Sequence, residues 1–423
     1  MAKFKINPLG KLSWCIYDWA NSAFPTVVIT FIFSAYFTEI VANDEISGTS
    51  QWGWALSISG LAVAISAPLL GAISDHTGRK KPWILFFTVL CAILTGLLWH
   101  VKPEIAFVFL ALILVGGANY AFEMAMVFYN AMLPNLATQD QIGKMSGWGW
   151  GLGYAGGLVC LGFALIVLVN SDTPIFRLNK LTYEHLRAIG PLVAIWMVLF
   201  AFPLFLWTPD DTPGDLAATK AIQKGCKKLL STIRQAAKFS YIVQFLLARM
   251  FYIDGLNTLF AFGGIYAAGT FGMSFKELII FGITINITAG MGAVGFAWLD
   301  DKIGSKRTIQ IAISGLLFFS SALLFAEEKL FFWIFALPLG IFVGPTQAAS
   351  RSMMAHLAPE SMRAEMFGLF ALSGKATSFL GPAILALVTN TFNSQRAGMA
   401  TILLFFALGL ALLAGVPQIR KKN

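Results

Sequence analysis

Two aspartates sit inside long apolar runs with the same companions: Asp18, Asn21 and Phe24 in one, Asp254, Asn257 and Phe260 in the other. At about 100° per residue, positions i, i+3 and i+6 of a helix fall within an arc of about 120°, so each trio shares a face. A carboxylate at bilayer depth costs on the order of 3 kcal/mol even on lenient insertion scales, so such a residue faces a cavity or a partner. The face offers a proton acceptor, an amide that donates and accepts, and an aromatic wall. Those chemistries suit proton coupling and the grip of a zwitterion or another polar solute. Further polar residues in apolar runs are Glu123 with Asn119 and Tyr120 on its face, Arg351 with Gln347 one turn before it, Arg249, and Lys375. The basic ones among these either snorkel to headgroups or answer an acid.

A second repeated mark lies in short hydrophilic loops. Gly71, Asp75, Gly78, Arg79 and Lys80 stand in the first; Asp301 and Gly304 stand in the second, at one separation of 226 residues (75 to 301, 78 to 304). Ala297 replaces the glycine and Ser305 the arginine in the later copy. An acid at the C-terminal end of a helix opposes the macrodipole and needs a compensating partner, which makes Asp75 a candidate latch.

The elements that must position these residues follow from composition. Of 423 residues, 57% are hydrophobic and only 12% charged, about half the charge of soluble domains. A dispersed soluble protein, a disordered chain, a disulfide scaffold and a membrane β-barrel are all excluded. Twelve apolar runs of helix length are predicted, near 14–41, 52–74, 83–100, 105–133, 146–169, 189–207, 241–268, 277–299, 308–326, 330–355, 366–389 and 398–416. The stretch 208–240 opens with Thr-Pro-Asp-Asp-Thr-Pro and continues as a basic amphipathic segment, dividing the chain into 1–207, the linker 208–240, and 241–423. Most of the 30 Lys and Arg fall in loops on one side, which places both termini and the linker in the cytoplasm. Topology thereby accounts for the formal charge of +9, and no nucleic-acid partner is expected. The four His and four Cys are scattered, so no metal site, disulfide or cofactor is expected. No phosphate-binding Gly-rich loop and no nucleophile elbow is present. The glycines of 147–157 form small-xxx-small pairs (147/151 and 153/157), and Gly381-Pro382 marks a bend.

The loop Gly-x-x-x-Asp-x-x-Gly-Arg-Lys at 71–80 resembles the signature loop of the major facilitator superfamily. Tyr17-Asp18-Trp19-Ala20-Asn21-Ser22-Ala23-Phe24 is similar to the opening of its vacuole-effluxer-like branch, related to the fungal autophagy-linked vacuolar amino-acid effluxer. Asp254-Gly255-Leu256-Asn257, Gln347-Ala348-Ala349-Ser350-Arg351-Ser352, Phe367-Gly368-Leu369 and Gly374-Lys375 carry the same likeness, so it extends over essentially the whole chain. The resemblance implies an all-α polytopic membrane protein, twelve transmembrane helices in two pseudo-symmetric six-helix bundles. It implies a secondary active transporter, not an enzyme, moving an amino-acid-like solute by alternating access with proton coupling. Asp18, Asn21, Asn119, Tyr120, Glu123, Asp254, Asn257, Gln347 and Lys375 are the candidates for solute or proton. Gly71, Asp75, Gly78, Arg79, Lys80, Asp301, Gly304 and Arg351 are the candidates for a cytoplasmic gate. Alternatives are a carrier of lipid or hydrophobic compounds, a receptor, or an intramembrane enzyme; duplication of the polar marks disfavours the last two. The expected partners are a small-molecule substrate, protons or another coupling ion, and the bilayer. The expected setting is a monomer in a bacterial inner membrane.

Overall fold

In an apolar medium every backbone N–H and C=O must be satisfied within its own segment, so long apolar runs become helices. The computed structural model describes residues 7–77, 79–136, 142–169, 178–210, 231, 234–235, 237–359 and 363–418, and their regular elements are all helical. The principal ones are α1 (Pro8–Asn21), α2 (Glu45–Thr77), α3 (Lys81–Gly96), α4 (Val108–Leu136), α5 (Ile142–Ala164), α6 (Ile189–Trp207), α7 (Ser240–Phe271), α8 (Phe275–Ile303), α9 (Ser305–Leu324), α10 (Lys329–Leu357), α11 (Arg363–Ser373), α12 (Leu380–Phe392) and α13 (Gln395–Ala414). Among the described residues, eleven helical segments are long and apolar enough to cross a membrane. Ile58, Ile65, Phe86, Phe109, Phe202 and Phe318 are exposed, a surface suited to lipid rather than to water. The basic amphipathic segment expected in 208–240 lies largely outside the described residues.

Several of the expected spans are not plain α-helices: the one near 146–169 ends in π-helical turns over Leu165–Val169, and two others depart further. After α1 the chain passes into π-helical turns over Phe24–Phe31 and Phe37–Val41. Pro25 has no N–H to continue the α ladder, which gives a reason for the change of pitch. In the run 366–389 the helix stops at Ser373 and restarts at Leu380. The expected bend at Gly381-Pro382 is therefore an interruption further upstream. Pro382 sits in the first turn of α12, where a missing N–H costs nothing.

Residues 1–43 with 65–226 form one compact unit, and 44–64 with 227–423 form another. In the first unit α1 packs on α5 and α6, and α3 packs on α4 and α6. In the second, α7 packs on α13, α9 on α10 and α13, and α8 on α10. The first turns of α2 belong to the second unit. There Ser50 Oγ donates to Ala386 O (3.2 Å), and Gln395 Nε2 donates to Thr49 Oγ1 (2.8 Å).

Each unit ties an antiparallel helix pair at both ends in the same way. In the first, Lys81 at the start of α3 donates to Phe205 O near the end of α6 (3.0 Å), and Arg187 just before α6 donates to Trp99 O just beyond α3 (2.8 Å). In the second, Lys306 at the start of α9 donates to Ala414 O at the end of α13 (2.8 Å), and Arg396 at the start of α13 donates to Leu324 O at the end of α9 (3.3 Å) and to Ala326 O just beyond it (2.6 Å). The last carbonyls of a helix lack intrahelical donors and carry the negative end of its dipole, so a cation from the neighbour's first turn satisfies both. The duplication read from Asp and Gly marks is thus repeated in the hydrogen bonding.

Candidate functional site

In the first unit the site is built around Asp18, whose side chain is buried. Four small positions of α5 make room for it. A methyl at Gly149 would fall inside 3.0 Å of Asp18 Oδ2; one at Gly153 would meet Ser22 Oγ; one at Gly156, the Trp19 backbone; and one at Gly157, Thr26 Oγ1. Thus α5 presents 149, 153, 156 and 157 to α1 and the turn that follows it. Of the expected pairs, 153/157 lies on this face, whereas Gly151 has nothing within 4 Å and lies off it. The close approach brings Asp18 to Tyr129 of α4, whose hydroxyl donates to Asp18 Oδ2 at 2.7 Å. The same hydroxyl lies 3.0 Å from Trp14 O. Tyr129 is held in a stack, with Trp14 on one side (4.3 Å between centroids, 9° between planes) and Tyr17 next to it (4.9 Å). Tyr17 OH in turn pairs with Thr88 Oγ1 of α3 at 2.7 Å. Asn21 is buried and directs its amide at Met126 Sδ (2.9 Å); Tyr120 OH donates to Ser66 Oγ (3.1 Å). Asn119 and Glu123 are half-buried on the same helix as Tyr120.

The second unit places its equivalent acid in a different setting. Asp254 is 2% exposed, and its Oδ1 has no hydrogen-bond partner among the described residues. Beside it runs the interrupted stretch 374–379. Gly374 passes the Arg249 guanidinium, the Thr377 side chain adjoins the Asp254 carboxylate, and Gly381 lies against Thr258 and the Asp254 carbonyl. Arg249 neither snorkels nor pairs with Asp254. Its Nη1 donates to Phe370 O (2.7 Å) and Ser373 Oγ (2.9 Å), and the guanidinium covers the Phe370 ring at 3.7 Å. It thereby caps the end of α11, where the helix breaks. Lys375, expected ten residues into a continuous span, lies in that break and is half-buried. Asn257 is exposed while Asp254 is buried, three residues apart on the continuous helix α7. Tyr252 OH of α7 pairs with Ser350 Oγ of α10 (2.6 Å), and Gln347 and Arg351 of α10 are half-buried.

Of the gate candidates, Gly71 is half-buried in α2 with open space around it, and Arg79 is exposed. The main-chain N–H of Lys80 and that of Lys81 donate to the two oxygens of Asp210 (2.9 and 3.1 Å), which caps the start of α3. Gly304 has φ +84°, a conformation that favours glycine, at the turn between α8 and α9. Gly78 and the side chains of Asp75 and Asp301 lie outside the described residues.

Tyr129, Arg249 as a helix cap, and Asp210 were not picked out by sequence reasoning. Their roles come from partners more than a hundred residues away, and no local spacing carries that signal.

A family model described as "Vacuole effluxer Atg22 like" matches residues 40–423. The chain belongs to the vacuole effluxer Atg22-like family. It is an integral, multi-pass membrane transporter and not an enzyme. Among its relatives, an uncharacterized MFS-type transporter, YxiO of Bacillus subtilis, is 27% identical over 414 residues, 96% of this chain and 94% of that protein. Autophagy-related protein 22 of Cryptococcus neoformans is 25% identical over 303 residues, 66% of this chain; those residues span about half (51%) of the fungal protein. Among solved structures, the inward-open xylose transporter XylE from E. coli is similar with a TM-score of 0.69 at 14% identity, over 98% of this chain and 97% of that one. That likeness establishes the fold, the major facilitator fold, for this Atg22-like chain.

Proposed function

We propose that this Atg22-like protein is a secondary active transporter carrying a small amino-acid-like solute by alternating access of its two halves, coupled to protons. The supporting observation is that the same aspartate is buried in each repeat, at 18 and at 254, with no ion pair among the described residues. An acid kept at such depth without a fixed counter-charge has use for a mobile one, a proton or the ammonium end of a solute. The interrupted stretch beside Asp254 favours a zwitterion. It puts an acid and two cations, Arg249 and Lys375, along one short length of backbone, and broken helices of this kind are where transporters engage charged solutes. Asn21, Asn119, Tyr120, Glu123, Asn257 and Gln347 complete the candidate path.

In the same proposal, Asp75 and Asp301 latch the cytoplasmic side together with Gly71, Gly78, Arg79, Lys80, Gly304 and Arg351. The chain works as a monomer in a bacterial inner membrane with both termini in the cytoplasm.

The test is reconstitution of the full chain in proteoliposomes and counterflow with a panel of labelled amino acids. Each is measured with and without an imposed pH gradient. Exchange of at least one amino acid, and its accumulation when the gradient is applied, are the expected results. Absence of exchange across the panel would overturn the solute class, and exchange that never accumulates with the gradient would overturn proton coupling.

A further inference from the structure

The two buried aspartates occupy equivalent positions in the repeats, yet their carboxylates are partnered differently. Asp254 has an oxygen without a partner among the described residues. Asp18 is 9% exposed, and the oxygen that protein closes in is Oδ2. Its Oδ2 lies between the Tyr129 hydroxyl and the bare Cα of Gly149, where even one added carbon would collide. Neither an alkali ion with its shell of oxygens nor a solute ammonium group fits at that oxygen. A proton needs no room.

The hydrogen bonding around Asp18 contains an unmatched count. The Tyr129 hydroxyl has one hydrogen and two acceptors in reach, Asp18 Oδ2 at 2.7 Å and Trp14 O at 3.0 Å. With Asp18 ionised, that hydrogen serves the carboxylate, and Trp14 O keeps only its bond within the helix ladder of α1. With Asp18 protonated, the new O–H donates to the phenolic oxygen and the Tyr129 hydrogen turns to Trp14 O. Both acceptors are then served. The only bond made or broken is the O–H of the arriving proton, and the phenol keeps its own hydrogen throughout. The ring stack with Trp14 and Tyr17 holds the hydroxyl within reach of both acceptors.

The groups facing Asp18 add no competing charge among the described residues. The helix α1 itself contributes Cys15 and Tyr17, α4 contributes Tyr129, α5 contributes Gly149 and Gly153, and α6 approaches through Trp196, which donates to Trp19 O. No Lys, Arg or His among them pairs with the carboxylate.

We infer that Asp18 is the proton-carrying acid of this transporter and Tyr129 its positioning residue, whose single hydroxyl hydrogen switches between Asp18 Oδ2 and Trp14 O as the proton binds and leaves. This rests on the proton-coupled reading above and assigns that role to one of the two repeats.

The inference is tested without any solute, so its failure is separable from failure of the transport reading. Infrared difference spectra of the purified full chain are recorded as pH is stepped, following the carbonyl band of a protonated, buried carboxylic acid. The band present in the native chain is lost in Asp18→Asn. In Tyr129→Phe, which keeps the ring stack and removes only the hydroxyl, the band persists but shifts in frequency, because its hydrogen-bond partner is gone. Thermal unfolding of both variants establishes that they are folded; if Asp18→Asn is not, the frequency shift in Tyr129→Phe carries the test alone. A spectrum with no titrating carboxyl band, a band untouched by Asp18→Asn, or an unshifted band in Tyr129→Phe would each overturn it.

Discussion

Alanine at Gly149 sets two effects of opposite sign against each other. Glycine inside a helix is worse than alanine by about 0.8–1 kcal/mol, so propensity alone predicts that Gly149→Ala stabilises α5. Packing predicts the reverse. The added carbon would lie inside 3.0 Å of Asp18 Oδ2, 3.2 Å from Trp14 Cζ3 and 3.4 Å from the Tyr129 hydroxyl. The carboxylate must retreat by roughly 0.5–1 Å to reach ordinary contact. A bond of 2.7 Å then stretches beyond the range in which it counts as one. Overpacking costs about 1–3 kcal/mol and the lost hydrogen bond to a charged group about 1.5–3 kcal/mol, so the net is roughly 1.5–5 kcal/mol against the native arrangement. At 1.4 kcal/mol per factor of ten, proton-driven uptake in proteoliposomes should fall by about tenfold or more. Gly151→Ala is the matched control, two residues along the same helix with nothing within 4 Å. It should keep native uptake and equal or slightly better thermal stability. Equal uptake by the two variants would refute the account of α5 as the face that presses Asp18 onto Tyr129.

Three further outcomes are expected. Arg396→Met removes two charge-assisted hydrogen bonds at the end of α9, at 3.3 and 2.6 Å; allowing for its partial exposure, about 2 kcal/mol should be lost, read as a fall of roughly 4–8 °C in apparent Tm, with Arg396→Lys in between. Asp254→Asn should weaken exchange and pH-driven uptake of the same amino acid together by tenfold or more with the protein still folded; loss of driven uptake alone would move the proton to this repeat. Asp44 accepts from the Ser47 and Ile46 N–H groups (2.8 and 3.0 Å) and the Ser47 hydroxyl (2.8 Å), and these donors, Ser47 N–H first, hold its carboxyl below the usual range. A group lowered in the folded state contributes stability above its unfolded pKa and loses it as pH falls through the folded value. The Tm deficit of Asp44→Ala should accordingly be full at neutral pH and vanish in strong acid; a deficit that persists there would assign it to packing instead.

The fold class was legible in the sequence, because a bilayer imposes one constraint on every span: a run of about 20 apolar residues must satisfy its own backbone. Composition and the spacing of those runs therefore carried the architecture, and the paired marks at 18/254 and 75/301 carried the duplication. The buried state of Asp18 and Asp254 was legible for the same reason, since a carboxylate within such a run has few places to be. What tertiary structure decided was everything that depends on a partner distant in sequence. A glycine-rich helix can offer several faces, and only packing against α1 selected 149, 153, 156 and 157 and left 151 outside. Gly381-Pro382 predicts a bend where the structure has a break at 374–379, because proline marks both the first turn of a helix and a kink within one. Arg249 had the residue type to neutralise Asp254 and instead caps the end of α11, since the carbonyl freed there lies within reach of its guanidinium. Asp18 and Asp254 carry one sequence mark in two environments. Tyr129 stands 111 residues from the first, the chain break lies about that far beyond the second, and neither separation leaves a trace in local pattern.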